Sequence, residues 1–165
     1  MDPVRQAESS EPRRAGAEAD RDHQAHHDAL TGLLNRAGLL AQVSRLLAEG
    51  PTAAAVINLD HFRAVNDSLG HAAGDELLKV IASRLQAAVG HGAVVARTSA
   101  DEFAVAQTAV DGSDDAALPD ALLGAVAMPY RVAGVEVVTT ASSGVPLAQD
   151  AQRSAEELLR RAGAA

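Results

Sequence analysis

The stretch Ala53–Leu59, Ala-Ala-Ala-Val-Ile-Asn-Leu, constrains this chain more than any other. It has the length of a strand, is apolar at every place but Asn58, and offers water no polar face. Such a strand must be covered on both sides, so it belongs at the centre of a sheet with helices packed against it. Before it, Asn35 can cap a helix that runs to about Glu49, with Leu39, Leu40, Val43, Leu46 and Leu47 at helical spacing, and Gly50-Pro51 stops it. After it, the pattern predicts a short helical turn through His61 to Asp67 and a loop holding Gly70 and Gly74. An amphipathic helix from Asp75 to Val89 follows, burying Leu77, Leu78, Ile81, Leu85 and Val89. Ala93–Arg97 and Phe103–Gln107 read as the strands of a hairpin joined by Thr98–Glu102. An acidic loop at Asp111–Asp115 leads to a helix near Ala116–Met128, interrupted by Pro119. Gly134 turns into a strand over Val135–Ser142, and a last helix starts at Asp150 or Ser154. Helices alternate with strands around a hairpin, which predicts an α+β fold with a mixed, mainly antiparallel central sheet flanked by helices.

A chain of 165 residues is expected to form one domain. Aromatic residues make up only 2% of it, so its core must be built from Ala, Val, Leu and Ile, and modest stability is expected. A net charge of −8 excludes a nucleic-acid backbone as the main partner, which would need a basic face. It does not exclude a nucleotide, whose phosphates can be met locally. No cysteine is present for a disulfide or a thiolate metal site. No membrane-length apolar run or signal-peptide pattern is seen, so a soluble cytoplasmic protein with no membrane partner is the expectation. Arg dominates over Lys (Lys79 is the only lysine) and Ala is abundant, which suggests a GC-rich bacterial source.

Residues 1–28 stand apart as a tail. They carry alternating charges, Pro3 and Pro12, and neither Leu, Ile nor Phe until Leu30. The first half is expected to be disordered, while Ala15–His27 would tolerate a helix without an apolar stripe to anchor it. On a helix His23 and His27 would share a face, as a metal pair needs. With no third ligand evident, a solvated polar tail is the favoured reading.

Four motifs in order then resemble one family. Asp28-Ala-Leu-Thr-Gly-Leu-Leu-Asn-Arg36 looks like the opening signature of GGDEF domains, the diguanylate cyclases. Ile57–Leu78 resembles that family's first strand, nucleotide loop and following helix. Arg97–Val105 falls where its signature hairpin belongs, and Thr139–Val145 is similar to a later strand. The resemblance implies a nucleotidyl-cyclase-like GGDEF domain over residues 29–165. In the family a dimer condenses two GTP molecules into cyclic di-GMP, and two divalent ions, usually Mg²⁺, lie between carboxylates and phosphates.

Carried over position by position, the resemblance makes Asn66 and Asp75 the guanine-binding pair, an amide and a carboxylate able to read the base edge together. Taken alone, Asn66 would read first as a turn residue and Asp75 as a helix N-cap; the context favours base recognition or its vestige. Asp101 matches a metal-binding carboxylate, and with Glu102 it matches the catalytic part of the signature. The second metal position holds Asn58, which brings no charge. Asp60 reads either as a further site carboxylate or as a structural acceptor at the strand end. Where active enzymes have Gly-Gly beside the nucleotide, this chain has Ser99-Ala100, whose Cβ atoms would narrow the pocket and could shift the turn, although the favoured reading is an adequate hairpin and nothing more. The signature is thus a degenerate Ser-Ala-Asp-Glu-Phe, with catalysis vestigial or weak and Mg²⁺ held weakly or not at all. The Arg-x-x-Asp inhibitory site is replaced by Gly90-His91-Gly92-Ala93, so no inhibitory site is expected. Arg63 falls where a basic residue usually follows Phe62. The family's phosphate-contacting Lys and Arg follow the last helix, and Arg160 and Arg161 lie too early for those roles. The expectation is a domain short at its C-terminus.

Three functions follow from this pattern. The first is an impaired or inactive cyclase-like module that binds GTP weakly or not at all and acts through a homodimer or another signalling protein. The others are an active diguanylate cyclase and a nucleotide-free dimerisation module.

Overall fold

A computed structural model describes residues 11–109, 117–144, 147–148 and 154–164. In chain order the elements are α1 (Glu11–His26), α2 (Arg36–Glu49), β1 (Thr52–Leu59), α3 (Phe62–Leu69), α4 (His71–Ala88), β2 (Val94–Arg97) and β3 (Glu102–Thr108). They continue with α5 (Ala117–Ala127), β4 (Tyr130–Val132), β5 (Val135–Val137), β6 (Ala141–Gly144), β7 (Leu147–Ala148) and α6 (Ala155–Ala164). The main sheet runs β2-β3-β1-β6, with β7 also paired to β1, and every strand pairing is antiparallel. One parallel contact, an isolated bridge from Leu34 to Ala96, ties the segment before α2 to the sheet. The α+β expectation holds, and β1 is the central strand.

Alternation along the strands sorts the core into two layers. Ala55, Ile57 and Leu59 of β1, Val95 of β2, and Phe103 and Val105 of β3 face one side, packed against Leu77, Leu78, Ile81 and Leu85 of α4 and Leu122 and Val126 of α5. Ala54, Val56, Ala96, Ala104 and Ala106 face the other, under Leu39, Val43, Leu46 and Leu47 of α2 and Leu158, Leu159 and Ala162 of α6. The second face of the sheet is almost all alanine, which lets the leucines of two helices reach it. Phe103, paired with Ile57 across β1–β3, is the one large aromatic at the sheet's centre and is fully buried.

Several boundaries differ from the sequence reading. The second amphipathic helix begins at His71, four residues before Asp75, and Gly70 at φ 89° is its N-cap. Gly74 therefore lies inside a helix, and Asp75 does not cap one. Pro119 does not interrupt α5, because it sits in the first turn, where no intrahelical donor is needed. Val135–Ser142 is not one strand. Val135–Val137 folds back on Tyr130–Val132 through a left-handed Ala133-Gly134 turn (φ 50° and 75°), and β6 starts only at Ala141. Tyr130 of the overlooked β4 is buried and donates to the Val126 carbonyl at 2.7 Å. Arg84 of α4 secures this corner by donating 2.7 Å bonds to the carbonyls of Met128 and Pro129 and stacking 3.9 Å over the Tyr130 ring. Ser154 caps α6 by accepting from the Glu157 amide at 3.2 Å. The acidic loop at Asp111–Asp115, the alternative start at Asp150 and residues 1–10 of the tail lie outside the described residues.

The tail reading is sharpened by α1, which starts at Glu11. Its anchor is polar. Asn35 donates through Nδ2 to the Ala25 carbonyl and through its backbone to the His26 carbonyl, both at 2.9 Å, while its Oδ1 caps α2 at the Gly38 amide. Gly38 lets the two helices meet, since a Cβ there would lie 2.2 Å from the His26 carbonyl oxygen. Gly38→Ala should therefore lower stability by about 1–3 kcal/mol through overpacking, despite alanine's better helix propensity. Urea unfolding measures this, and an unchanged midpoint would show that α1 is not held against α2.

Candidate functional site

The strands β3, β1 and β6 end together, and three backbone links stitch that end. The Leu59 amide donates to the Asp101 carbonyl at 2.9 Å, the Asp60 amide to the Thr140 carbonyl at 2.8 Å, and the Thr98 amide to the Glu102 carbonyl at 3.0 Å. Asn58 stands exposed between Glu102 and Ser142, its register partners on either side. Two residues beyond Val56, it shares that residue's face of the sheet, the face covered by α2 and α6. A cleft of about 220 Å³ opens on that face, lined by Val56 and Glu102 from the sheet, by Thr98 from the turn between β2 and β3, and by Arg36 and Arg160 from the two helices. His61, left-handed at φ 59°, then turns the chain from β1 into α3.

The acidic side chains at this end are not equivalent. Glu102 accepts a short hydrogen bond from the Thr98 hydroxyl. Asp60 accepts from Thr140 Oγ1 at 2.7 Å and Ser142 Oγ at 3.4 Å, while Thr139 Oγ1 donates to its backbone carbonyl at 3.1 Å. Of the two readings for Asp60, the geometry thus provides the structural acceptor at a strand end. The exposed Asp101 side chain makes no hydrogen bond among the described residues. Nor do the described residues contain a group of three or more His, Cys, Asp or Glu arranged to hold a metal ion. That includes His23 and His27, whose rings stack at 3.8 Å, with Nδ1 of His27 2.9 Å from the His23 carbonyl.

The signature turn closes without glycine. Ser99 and Ala100 are exposed, and neither has a positive φ, so the turn does not need glycine's conformational freedom. It is braced instead by Arg97, whose Nη2 donates to the Ala100 carbonyl at 2.9 Å and whose Nη1 lies 3.2 Å from the Asp28 carboxylate. Asp28 also accepts from the amide and hydroxyl of Thr31 at 2.9 and 2.7 Å. Burial pushes its carboxyl up, but the Thr31 bonds and the Arg97 charge outweigh this and hold it below the usual carboxylate range. The first and third motifs are thereby joined by one ion pair.

Asn66 and Asp75 form a second group, on α3 and α4. Asn66 lies over Gly74, with its Oδ1 buried and without a hydrogen-bond partner among the described residues, and Asp75, the next residue on α4, is exposed. The structure therefore gathers Asn58, Asp101 and Glu102 at one strand end and Asn66 and Asp75 on the helix pair that leaves it. Sequence reasoning missed the hydroxyls of Thr98, Thr140 and Ser142 as carboxylate partners. It also missed Arg36 and Arg160 as cleft residues, because separate helices bring them together.

Residues 25–165 match the family model described as diguanylate cyclase, GGDEF domain. The diguanylate cyclase TpbB of Pseudomonas aeruginosa is 37% identical over 147 residues, 85% of this chain and 34% of that protein. The cyclic di-GMP phosphodiesterase NbdA of the same species is 36% identical over 155 residues, 90% of this chain and 20% of that protein. The crystal structure of a sensory box/GGDEF family protein from Caulobacter crescentus superimposes with a TM-score of 0.77 at 40% identity, covering 85% of this chain and 94% of that one. The chain spans only 19% and 20% of the length of the first curated relatives it matches.

The brace at Asp28 predicts a pH dependence. A carboxyl whose folded pKa is depressed adds stability above its unfolded value, near 3.9, and loses it as pH falls through the lower folded value. Asp28→Asn should therefore be less stable than the parent at pH 7, and the gap should close as pH drops below about 4. Urea midpoints of both proteins between pH 7 and 2 test this. A gap that stays constant with pH would remove the ion pair's role.

Proposed function

This chain belongs to the GGDEF family of diguanylate cyclase domains, and on that premise we propose that it is a guanine-nucleotide-binding module of cyclic di-GMP signalling whose own cyclase chemistry is impaired. One observation carries the reading. At the strand end where the resemblance places two metal-binding carboxylates, Asn58 supplies no charge, and Glu102 and Asp60 are engaged by hydroxyls. Asp101 alone is left as an unengaged carboxylate there among the described residues. That donor set does not fit a pair of divalent ions, which need formal negative charge as well as oxygen geometry. Asn66 and Asp75 support retention of base recognition, since among the described residues neither side chain makes a hydrogen bond and the two lie at adjoining places on α3 and α4. Relatives are named both for making and for hydrolysing cyclic di-GMP, so likeness to the family does not by itself assign cyclase activity. Association with a second copy or with another signalling protein would give such a module its output.

An active cyclase is the second reading. It draws support from the turn at Ser99-Ala100, which closes without left-handed residues and keeps Glu102 in register with Asn58.

Incubation with GTP and Mg²⁺ or Mn²⁺, read for cyclic di-GMP, separates the two. The expected result is no product, while GTP at 100 times its dissociation constant raises unfolding stability by about 2.7 kcal/mol. Product that disappears in Asp101→Ala would overturn the impaired reading, and no stabilisation by GTP would overturn nucleotide binding. Asn58→Asp should tighten Mn²⁺ binding in the presence of GTP by about tenfold, the scale of a unit charge restored beside a divalent ion. Calorimetry measures that change.

A further inference from the structure

Gly74 is buried in α4, and its backbone gives no reason for glycine. Its φ is not positive, and glycine inside a helix costs about 1 kcal/mol relative to alanine. The reason is space. A Cβ at this place would lie 1.8 Å from Oδ1 and 2.9 Å from Cγ of Asn66, and 3.3 Å from Cζ of Phe62. The Asn66 carboxamide thus occupies the volume that any side chain at 74 would need. Among the described residues no hydrogen bond reaches this buried oxygen, an unsatisfied group that calls for an explanation.

From this juxtaposition we infer that Gly74 is a positioning residue for guanine recognition. Its missing Cβ seats the Asn66 carboxamide on α4 next to Asp75, so that amide and carboxylate address one base edge together. The inference rests on the base-recognition reading above. It adds that the discrimination of guanine depends on an atom that is absent. The atoms a Cβ would meet are side-chain atoms of Asn66 and Phe62, not backbone. Gly74→Ala should therefore swing the amide away and leave α4 intact.

The test compares GTP and ATP binding by calorimetry in the unmodified chain, Gly74→Ala and Asn66→Ala. Both variants should bind GTP about tenfold more weakly, the order of one lost hydrogen bond, with ATP binding unchanged. A purely structural role would weaken both nucleotides alike. Thermal unfolding of the single and double variants adds a readout that needs no ligand. Gly74→Ala should be more stabilising in the Asn66→Ala background than in the parent, because the clash is then gone. A GTP preference lost in Asn66→Ala but kept in Gly74→Ala would overturn the positioning role. Equal stability effects in the two backgrounds would overturn the seat itself. A parent chain that binds GTP and ATP alike would overturn the base-recognition reading and the role built on it, while the stability comparison would still report on the contact.

Discussion

Burial of β1 on both faces is the constraint from which the rest of the molecule follows. Between β3 and β6 it has no edge toward water, and α2 and α6 close one face while α4 and α5 close the other. Its residues are apolar from Ala53 to Ile57, and Asn58, next to last in the strand, is the first side chain that reaches solvent. The polar chemistry of this fold is therefore confined to the strand end and the turn that follows. Asn58 is exposed, so its neutral side chain bears on the charge of the strand end and not on the packing of the core.

Two of the acids at this strand end, Glu102 and Asp60, are held by hydrogen bonds. Carboxylates near one another repel unless a cation or hydrogen-bond donors stabilise them. Here hydroxyls take that role, with Thr98 serving Glu102 and Thr140 and Ser142 serving Asp60. The same hydrogen bonds help fasten the three strand ends together. The ion pair of Arg97 with Asp28 serves the architecture, since it fixes the signature turn to the segment that carries α1 into α2.

Much of this was legible in the residues. Apolar runs and helical spacing located α2, β1, α4 and the β2–β3 hairpin, because burial on a periodic surface leaves a periodic trace. Asn35 and Ser154 announced their helices as caps. The trace failed where the local signal was ambiguous. Glycine at position 74 suggested a loop, yet it lies within a helix for a reason of space. Pro119 suggested a break, yet a first-turn proline needs no donor. The three-residue strands β4 and β5 are too short to show alternation, and Arg84, distant in sequence, secures the corner before them.

By itself the order of residues determined the layered fold and the identities at the site: a neutral Asn58, a Ser99-Ala100 turn, and Asn66 and Asp75 at the places the resemblance assigns. Those are matters of local periodicity and residue chemistry, which a linear chain carries openly. Only the tertiary structure decided which carboxylates are already satisfied, that the turn closes without left-handed residues, and that Gly74 makes room for Asn66. Each of these depends on distances of a few ångströms between segments far apart in the chain or on separate helices, and no spacing along the sequence encodes such distances.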